Sequence, residues 1–236
     1  MKGKNIFLYY SISYLIAGIF FFGSCDKEEA ALQFNPEIIY GTVTDMEGNV
    51  YKTVTIGDQT WMAENLKSTK YNDGTDITLV TVDTTWGSLT TEGYCWYNND
   101  EANKNLFGAL YNWEAVNSGK LAPEGYHVPT DAEWTALATF LGGNEVAGGK
   151  LKAIDGWSDP NISADNSTGF TAMPGGYRDN KSGKFFNNTR YGFWWTATQS
   201  TTTNGWYRGL GFDYTYLNKF GYDKGDGMSV RCIKNL

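Results

Sequence analysis

Three cysteines and one histidine bound the chemistry available to this chain. Cys25, Cys95 and Cys232 lie far apart, and none is near His127, so the spacing of a zinc site is missing. A triad through His127 would need a nucleophile and an orienting acid that no motif supplies. Gly209 and Gly211 lack the third glycine and the following helix of a phosphate loop. Hard oxygen ligands do occur, at Asn98-Asn99-Asp100-Glu101 and at Asp213, Asp223 and Asp226. Solvated turns are their expected use, with calcium kept as the one possible cofactor. His127 is accordingly expected to have a turn or packing role.

Aromatic side chains are the abundant resource. They make up 16% of the chain, and twelve fall between residues 186 and 222. That density exceeds what a small core needs, and it is interleaved with Asn, Ser and Gly, the vocabulary of adaptable binding surfaces. Trp194, Trp206, Tyr207, Tyr214, Tyr216, Asn218, Tyr222 and Asp223 form the candidate ligand-binding set. The rings would stack on sugars or anchor a protein, while Asn and Asp orient the ligand through hydrogen bonds. Because Trp194 and Trp195 alternate on a strand, at least one of them is expected in the core.

The elements that must position these residues are short. Phe193–Thr198, Trp206–Phe212 and Met228–Ile233 alternate as strands do, separated by Ser, Thr, Asn and Gly. Near the other end, Tyr40–Thr44 and Val50–Ile56 read as a hairpin around Asp45–Asn49, with Gln59–Met62 as a third strand. In the middle, Thr130 and Glu133 form a capping box, and Trp134, Leu137, Ala138 and Leu141 then lay one helical face on a core until Gly142-Gly143. Leu106, Ala109, Leu110 and Trp113 predict a second helix ending near Asn117-Ser118-Gly119. Residues 66–93 and 150–182 read as loops. Two main helices and several short antiparallel strands, unevenly interleaved, make the fold class α+β.

Net charge narrows the partners. The chain carries 19 basic and 26 acidic side chains. Removing the first 24 residues, which hold Lys2, Lys4 and no acid, only deepens the acidity. Nucleic acid is therefore excluded as a partner, since its binding needs a basic face. Lys2 and Lys4 precede an apolar run from Ile6 to Phe22, and Gly23-Ser24 lead into Cys25, the layout of a signal peptide over residues 1–24. Phe22-Gly23-Ser24-Cys25 resembles a lipoprotein processing box, which makes Cys25 the lipid-bearing residue and the membrane anchor. Residues 25–37 then serve as lipidated Cys and polar tether. Asp26-Lys27-Glu28-Glu29 resembles the signal by which Bacteroidota export lipoproteins to the surface of the outer membrane. In such an oxidising compartment Cys95 and Cys232 are expected to form a disulfide, the alternative being two free buried thiols.

Several motifs then stand in a telling order: VTIGDQTWMAENL from Val54, YCWYNND from Tyr94, GALYNW from Gly108, GYHVPTDAEW from Gly125, GGYRD from Gly175, FWWTAT from Phe193 and SVRCIK from Ser229. Together they resemble the Fibrobacter succinogenes major paralogous domain family, and place that domain over residues 38–236. More distantly, GYHVPTDAEW is similar to a segment of formylglycine-generating enzymes. Both resemblances imply a C-type-lectin-like fold in a single domain. The catalytic cysteine pair of the enzymes has no counterpart here, because Cys232 falls in a run resembling the structural C-terminal strand. The resemblance thus implies a surface lipoprotein that binds a glycan or an extracellular protein through its C-terminal aromatic region. The alternatives are an oxidoreductase like those enzymes, or a structural or adhesive envelope protein.

Overall fold

The structure is a computed structural model, and it describes residues 32–236, which form one compact unit. The expected signal peptide, Cys25 and the first part of the expected tether lie outside the described residues.

The chain opens with β1 (Gly41–Thr44), β2 (Val50–Ile56) and β3 (Gln59–Met62), the expected meander. Its first turn is held by Asp45, which accepts from the backbone N–H of Glu47 and Asn49 and from the Tyr51 hydroxyl at 2.7 Å. A short helix α1 (Asp83–Trp86) interrupts the following loop, before β4 (Tyr94–Cys95).

The predicted helix after Asn105 does not form as one piece. Instead α2 (Lys104–Phe107) stops at Gly108, β5 (Leu110–Tyr111) pairs with β4, and α3 (Trp113–Asn117) starts afresh with Asn112 as its cap. Gly108 has φ 71°, and a Cβ there would come within 2.7 Å of Leu66 O, so the chain must turn where the apolar spacing suggested continuity.

After β6 (Tyr126–His127), the capping box at Thr130 opens α4 (Asp131–Phe140), whose Trp134, Leu137 and Ala138 are buried as expected. A helix that the sequence did not announce follows, α5 (Asn144–Leu151). Its Gly148-Gly149 pair reads as a breaker but is a close-packing device. A Cβ on Gly148 would lie 2.6 Å from Thr215 O, and one on Gly149 2.5 Å from Ser163 O. There are accordingly more helices than the two expected, most of them short.

The C-terminal part supplies β7 (Tyr177–Arg178), β8 (Phe185–Phe186), β9 (Tyr191–Gln199), β10 (Asn204–Gly211), β11 (Asn218–Asp223) and β12 (Ile233–Lys234). Strands β11, β10 and β9 form an antiparallel sheet, and β1, β2, β3, β12 and β6 form a five-stranded one. Met228–Ile233 is not the continuous strand predicted. Met228 and Ser229 make isolated bridges to Tyr111 and Trp194, and ladder pairing resumes only at Ile233. Helices and antiparallel sheets together establish the α+β class.

The motif residues turn out to be the skeleton of this arrangement. Asn65 Oδ1 accepts from Trp194 Nε1 at 2.9 Å and from Arg231 Nε at 3.0 Å, while its Nδ2 donates to Phe107 O at 2.8 Å. Arg231, fully buried, also donates to Met62 O, Phe170 O and Thr171 O. Arg178, equally buried, is sandwiched between Trp86 and Phe185, each ring 4.7 Å away, and donates to Gly183 O and Val80 O. Buried cations satisfied mainly by carbonyls tie together segments distant in sequence, because a buried donor left unpaired costs about 1–3 kcal/mol.

Candidate functional site

The three-stranded sheet has two unlike faces, and its register sorts the candidate residues between them. Tyr207 pairs with Trp195 and with Phe220, Gly209 with Phe193 and Asn218, and Gly205 with Tyr222, so these side chains share one face. Arg208 pairs with Trp194 and Lys219 and lies on the other face, turned to α4. There Arg208 Nη2 meets Asp131 Oδ1 at 2.7 Å, and Lys219 Nζ meets Asp131 Oδ2 at 2.7 Å.

On the first face the rings run on without a gap. Tyr177 from β7 is 5.7 Å from Phe186, 5.4 Å from Phe193 and 6.1 Å from Tyr222. Tyr222 and Phe220 reach Tyr207 at 5.9 and 6.1 Å, and Phe193 reaches it at 5.5 Å. Tyr191 links Phe193 to Tyr214, and Tyr214 stacks on Tyr216 at 4.1 Å with planes 14° apart. Such ring pairs contribute about 0.5–1.5 kcal/mol each beyond buried area, enough to hold the surface in one shape.

Fractional exposure separates floor from rim. Tyr207, 9% exposed, forms the floor, while Tyr216 and Tyr222 (39% each), Phe186 (43%) and Phe220 (54%) reach solvent. Tyr177, Phe193, Tyr207, Tyr222, Asn187 and Met228 line a pocket of about 120 Å³. Gly209 and Gly211 stand where side chains would fill the surface: a Cβ on Gly211 would come within 2.3 Å of the Tyr214 ring. Lys152 supports this end from beneath. It is fully buried, and its Nζ donates to Gly211 O at 2.9 Å, Tyr214 O at 3.0 Å and Ile162 O at 2.9 Å. Burial lowers its pKa to about 8. Asn218 Nδ2 donates to the Tyr214 hydroxyl at 2.9 Å. Burial, with Tyr222 and Asp226 nearby, pushes the Tyr207 phenol up to about 12.

Beside the rings lies a second, polar pocket of about 330 Å³, lined by Asp179, Asn180, Lys181, Asn204, Gly221, Tyr222, Asp223 and Asp226. Asp226 is 1% exposed, and burial together with Asp179 and Asp223 pushes its carboxyl up to about 7, against a lowering by the Asn180 backbone bond and Lys181.

Five of the eight predicted ligand residues, Tyr207, Tyr214, Tyr216, Asn218 and Tyr222, therefore come together on one surface, and Asp223 lies in the adjoining pocket. Two do not. Trp194 is completely buried against Trp134, so both tryptophans of the FWW run are core, one on each side of the sheet. Trp206 pairs with Gly221 on the face shared with Arg208, and the Lys219 ammonium sits 4.3 Å over its ring. Tyr177 belongs to the site but was not singled out, since it arrives from a two-residue strand within an apparent loop, and Phe186, one of the twelve clustered rings, was not placed in the ligand set. Asp179, in the same apparent loop as Tyr177, was also missed. Phe193 was visible through the alternation that places it two residues from Trp195, and Phe220 only as one of the twelve clustered rings, because β11 was not read as a strand.

The expected disulfide is not formed. Cys95 packs with Val80, Trp86 and Leu110, whereas Cys232 packs in a separate cluster around Tyr51 and Tyr111, and both are free thiols. Burial pushes the Cys95 thiol up to about 12 and that of Cys232 higher still. His127 bonds Asn235 Oδ1 and Glu133 Oε1 at 2.7 and 2.8 Å, which fixes the turn ahead of α4. Asn98 and Asn99 take φ near 55°, a turn conformation. Among the described residues no group of three or more Cys, His, Asp or Glu converges as a metal site. A hollow of about 830 Å³ lies along β1 and β2, away from the rings, with Glu37 and Lys234 as its charged lining. No helix of the described residues is long and apolar enough to cross a membrane.

Fold and surface together define an α+β domain in which a small sheet carries an aromatic platform. The chain belongs to the Fibrobacter succinogenes major domain family, whose model matches residues 54–234. No curated protein and no solved structure matches it.

Proposed function

We propose that this protein is a bacterial outer-membrane lipoprotein, displayed at the cell surface through Cys25, whose C-type-lectin-like domain binds a glycan without catalysis. The observation that carries this reading is the continuous aromatic surface around Tyr207, with Tyr216 and Tyr222 open to solvent and hydroxyls interspersed among the rings. Flat rings cover the apolar faces of pyranoses, and phenol, amide and carboxylate groups orient the sugar hydroxyls. Fully buried thiols with raised pKa values support the non-catalytic reading, since an oxidase of the formylglycine-generating kind works through accessible thiolates.

A second reading rests on Phe186 and Phe220, which are exposed and carry no polar tip. An apolar rim of that kind also suits a protein partner, whether a receptor or another component of the envelope.

A glycan array probed with the full chain in detergent, with calcium and again with chelator, tests the proposal. Specific binding that disappears in a Tyr216→Ala/Tyr222→Ala variant is the expected result. Loss in chelator would identify calcium as part of the site. A blank array alongside a captured extracellular protein would replace the glycan with the second reading. Display at the surface is checked by protease treatment of intact cells, and lipidation by loss of incorporated fatty acid in Cys25→Ser.

A further inference from the structure

The polar pocket beside Tyr222 contains a buried carboxylate that lacks a donor. Asp226 Oδ1 accepts from the Asn180 N–H at 2.8 Å, but Oδ2, also buried, has no hydrogen-bond partner. Its neighbours are already held locally. Asp179 Oδ2 accepts from the Ser182 N–H and hydroxyl, both at 2.7 Å, and Asp223 Oδ1 accepts from the Gly225 N–H at 3.0 Å. Among the pocket's lining residues, three carboxylates face one cation, Lys181. Buried carboxylates are as a rule paired or neutralised, so an acidic pocket around an orphaned oxygen is arranged for a donor that arrives with a ligand.

We infer that this pocket, built by Asp179, Asp223 and Asp226 next to Tyr222, receives a primary ammonium group, and that the ligand of the aromatic face is an amino sugar with an unacetylated nitrogen. The inference rests on the glycan reading above and narrows it. An ammonium suits the site better than a metal ion. It brings three N–H donors and is satisfied by a few acceptors at about 2.8 Å. A calcium ion instead demands six to eight oxygens at about 2.4 Å, and the carboxylates here do not converge in that way.

The attachment of the ammonium follows from Tyr222, whose side chain lines the acidic pocket and also the aromatic one. The ligand must therefore present its charge within one ring's breadth of a flat, partly apolar face. A hexosamine does this directly, because its nitrogen is bonded to a ring carbon. A lysine carries its ammonium on a flexible four-carbon stem and offers no ring to the platform. Acetylation would remove the charge and place a methyl group against Asp226.

The test is calorimetric titration of the full chain in detergent at pH 7.5 with glucosamine, galactosamine and mannosamine oligomers, each as the free amine and as the N-acetyl form. At least one free-amine oligomer is expected to bind ten-fold or more tighter than its acetylated partner. Asp226→Asn should abolish that preference, and so should Asp223→Asn. The Asn180 contact survives in Asp226→Asn because the amide oxygen still accepts, and an unchanged melting curve or a higher midpoint separates lost binding from lost folding. Equal binding of amine and acetyl forms, with sensitivity to Tyr222→Ala, would overturn the inference while leaving the glycan reading intact. Failure of every free-amine oligomer would also overturn it. If a lysine-bearing peptide then bound in an Asp226-dependent way, the glycan reading would fall as well.

Discussion

Asp226 offers the sharpest quantitative consequence of the structure. Its carboxyl rises from 3.8 to about 7, first through burial, then through Asp179 and Asp223, with Lys181 and the Asn180 N–H opposing. Tyr177 and Tyr207 also feel its charge. Between those two pH values the folded state holds a proton that the unfolded state has released, so stability falls as pH rises through the window. Below about pH 4 the effect vanishes, and above about pH 8 it is complete. At about 1.4 kcal/mol per pKa unit, the full difference is at most ~4 kcal/mol. Asp226→Asn cannot ionise, and its amide oxygen still accepts from the Asn180 N–H. It should therefore stabilise the protein by up to ~4 kcal/mol at pH 8 and hardly at all at pH 4. For a domain of this size that is a midpoint shift on the order of 10 °C at the alkaline end. Thermal unfolding of both proteins, followed by circular dichroism from pH 4 to pH 9, reads the difference directly. A gap that stays constant between pH 5 and pH 8, or one that opens on acidification, would refute the reasoning.

Other consequences are as direct. Without reductant, Cys95 and Cys232 should resist alkylation in the native protein and both react once it is unfolded in urea; continued resistance in urea would restore the disulfide. Arg231→Met should destabilise by about 5 kcal/mol, since it strands several buried acceptors at about 1–3 kcal/mol each, and urea midpoints would show it. Tyr216→Ala should cost less than about 1 kcal/mol while weakening binding, because the ring is 39% exposed; a loss comparable to Arg231→Met would place it in the core. Gly148→Ala should destabilise by about 1–3 kcal/mol through the clash with Thr215 O, whereas a rise in melting midpoint would show that α5 has room there.

Local signals in the sequence were readable wherever one residue's chemistry decides a structure. Thr130 and Glu133 close their capping box because the partners are three residues apart, and Asp45 closes its hairpin turn on partners two and four residues on. Reading failed where a distant segment decides. The spacing of Leu106, Ala109, Leu110 and Trp113 is helical, yet Asn65 and Leu66 crowd Gly108 and force the chain into a strand. Conversely, Gly148-Gly149 is a poor helix sequence that nonetheless lies inside α5, where the close approach of residues 163 and 215 leaves no room for a Cβ. For the site, the density of aromatic residues interleaved with Asn and Asp sufficed to group Tyr207, Asn218 and Tyr222, but β11 was not read as a strand and nothing local told which face of the sheet α4 covers. That ambiguity put Trp206 and Trp194 in the candidate set, while Tyr177 was left out because its two-residue strand lies within an apparent loop.

The residues that carry the family resemblance and those proposed to carry the ligand are largely different sets, and the structure shows why. Asn65, Arg178, Trp194 and Arg231 belong to the recognisable motifs, and each is locked in the interior by bonds to several segments. A change at any of them leaves buried polar groups unpaired, so the frame tolerates little substitution. Tyr216, Phe220 and Tyr222 stand at the rim of a platform whose floor and supports, Tyr207 and Lys152, lie beneath them. Rim side chains can change without disturbing those supports. A domain constructed in this way holds its shape through the motifs, and under the proposed function its binding preference would rest on the exposed strand β11 and the loop before it. Tyr177 bridges the two sets: it comes from the GGYRD motif, next to Arg178, and its ring meets Tyr222 at 6.1 Å. Motif and rim meet there, which makes the neighbourhood of Tyr177, Tyr222 and Asp226 the place where a fixed frame would set the position of the proposed ligand.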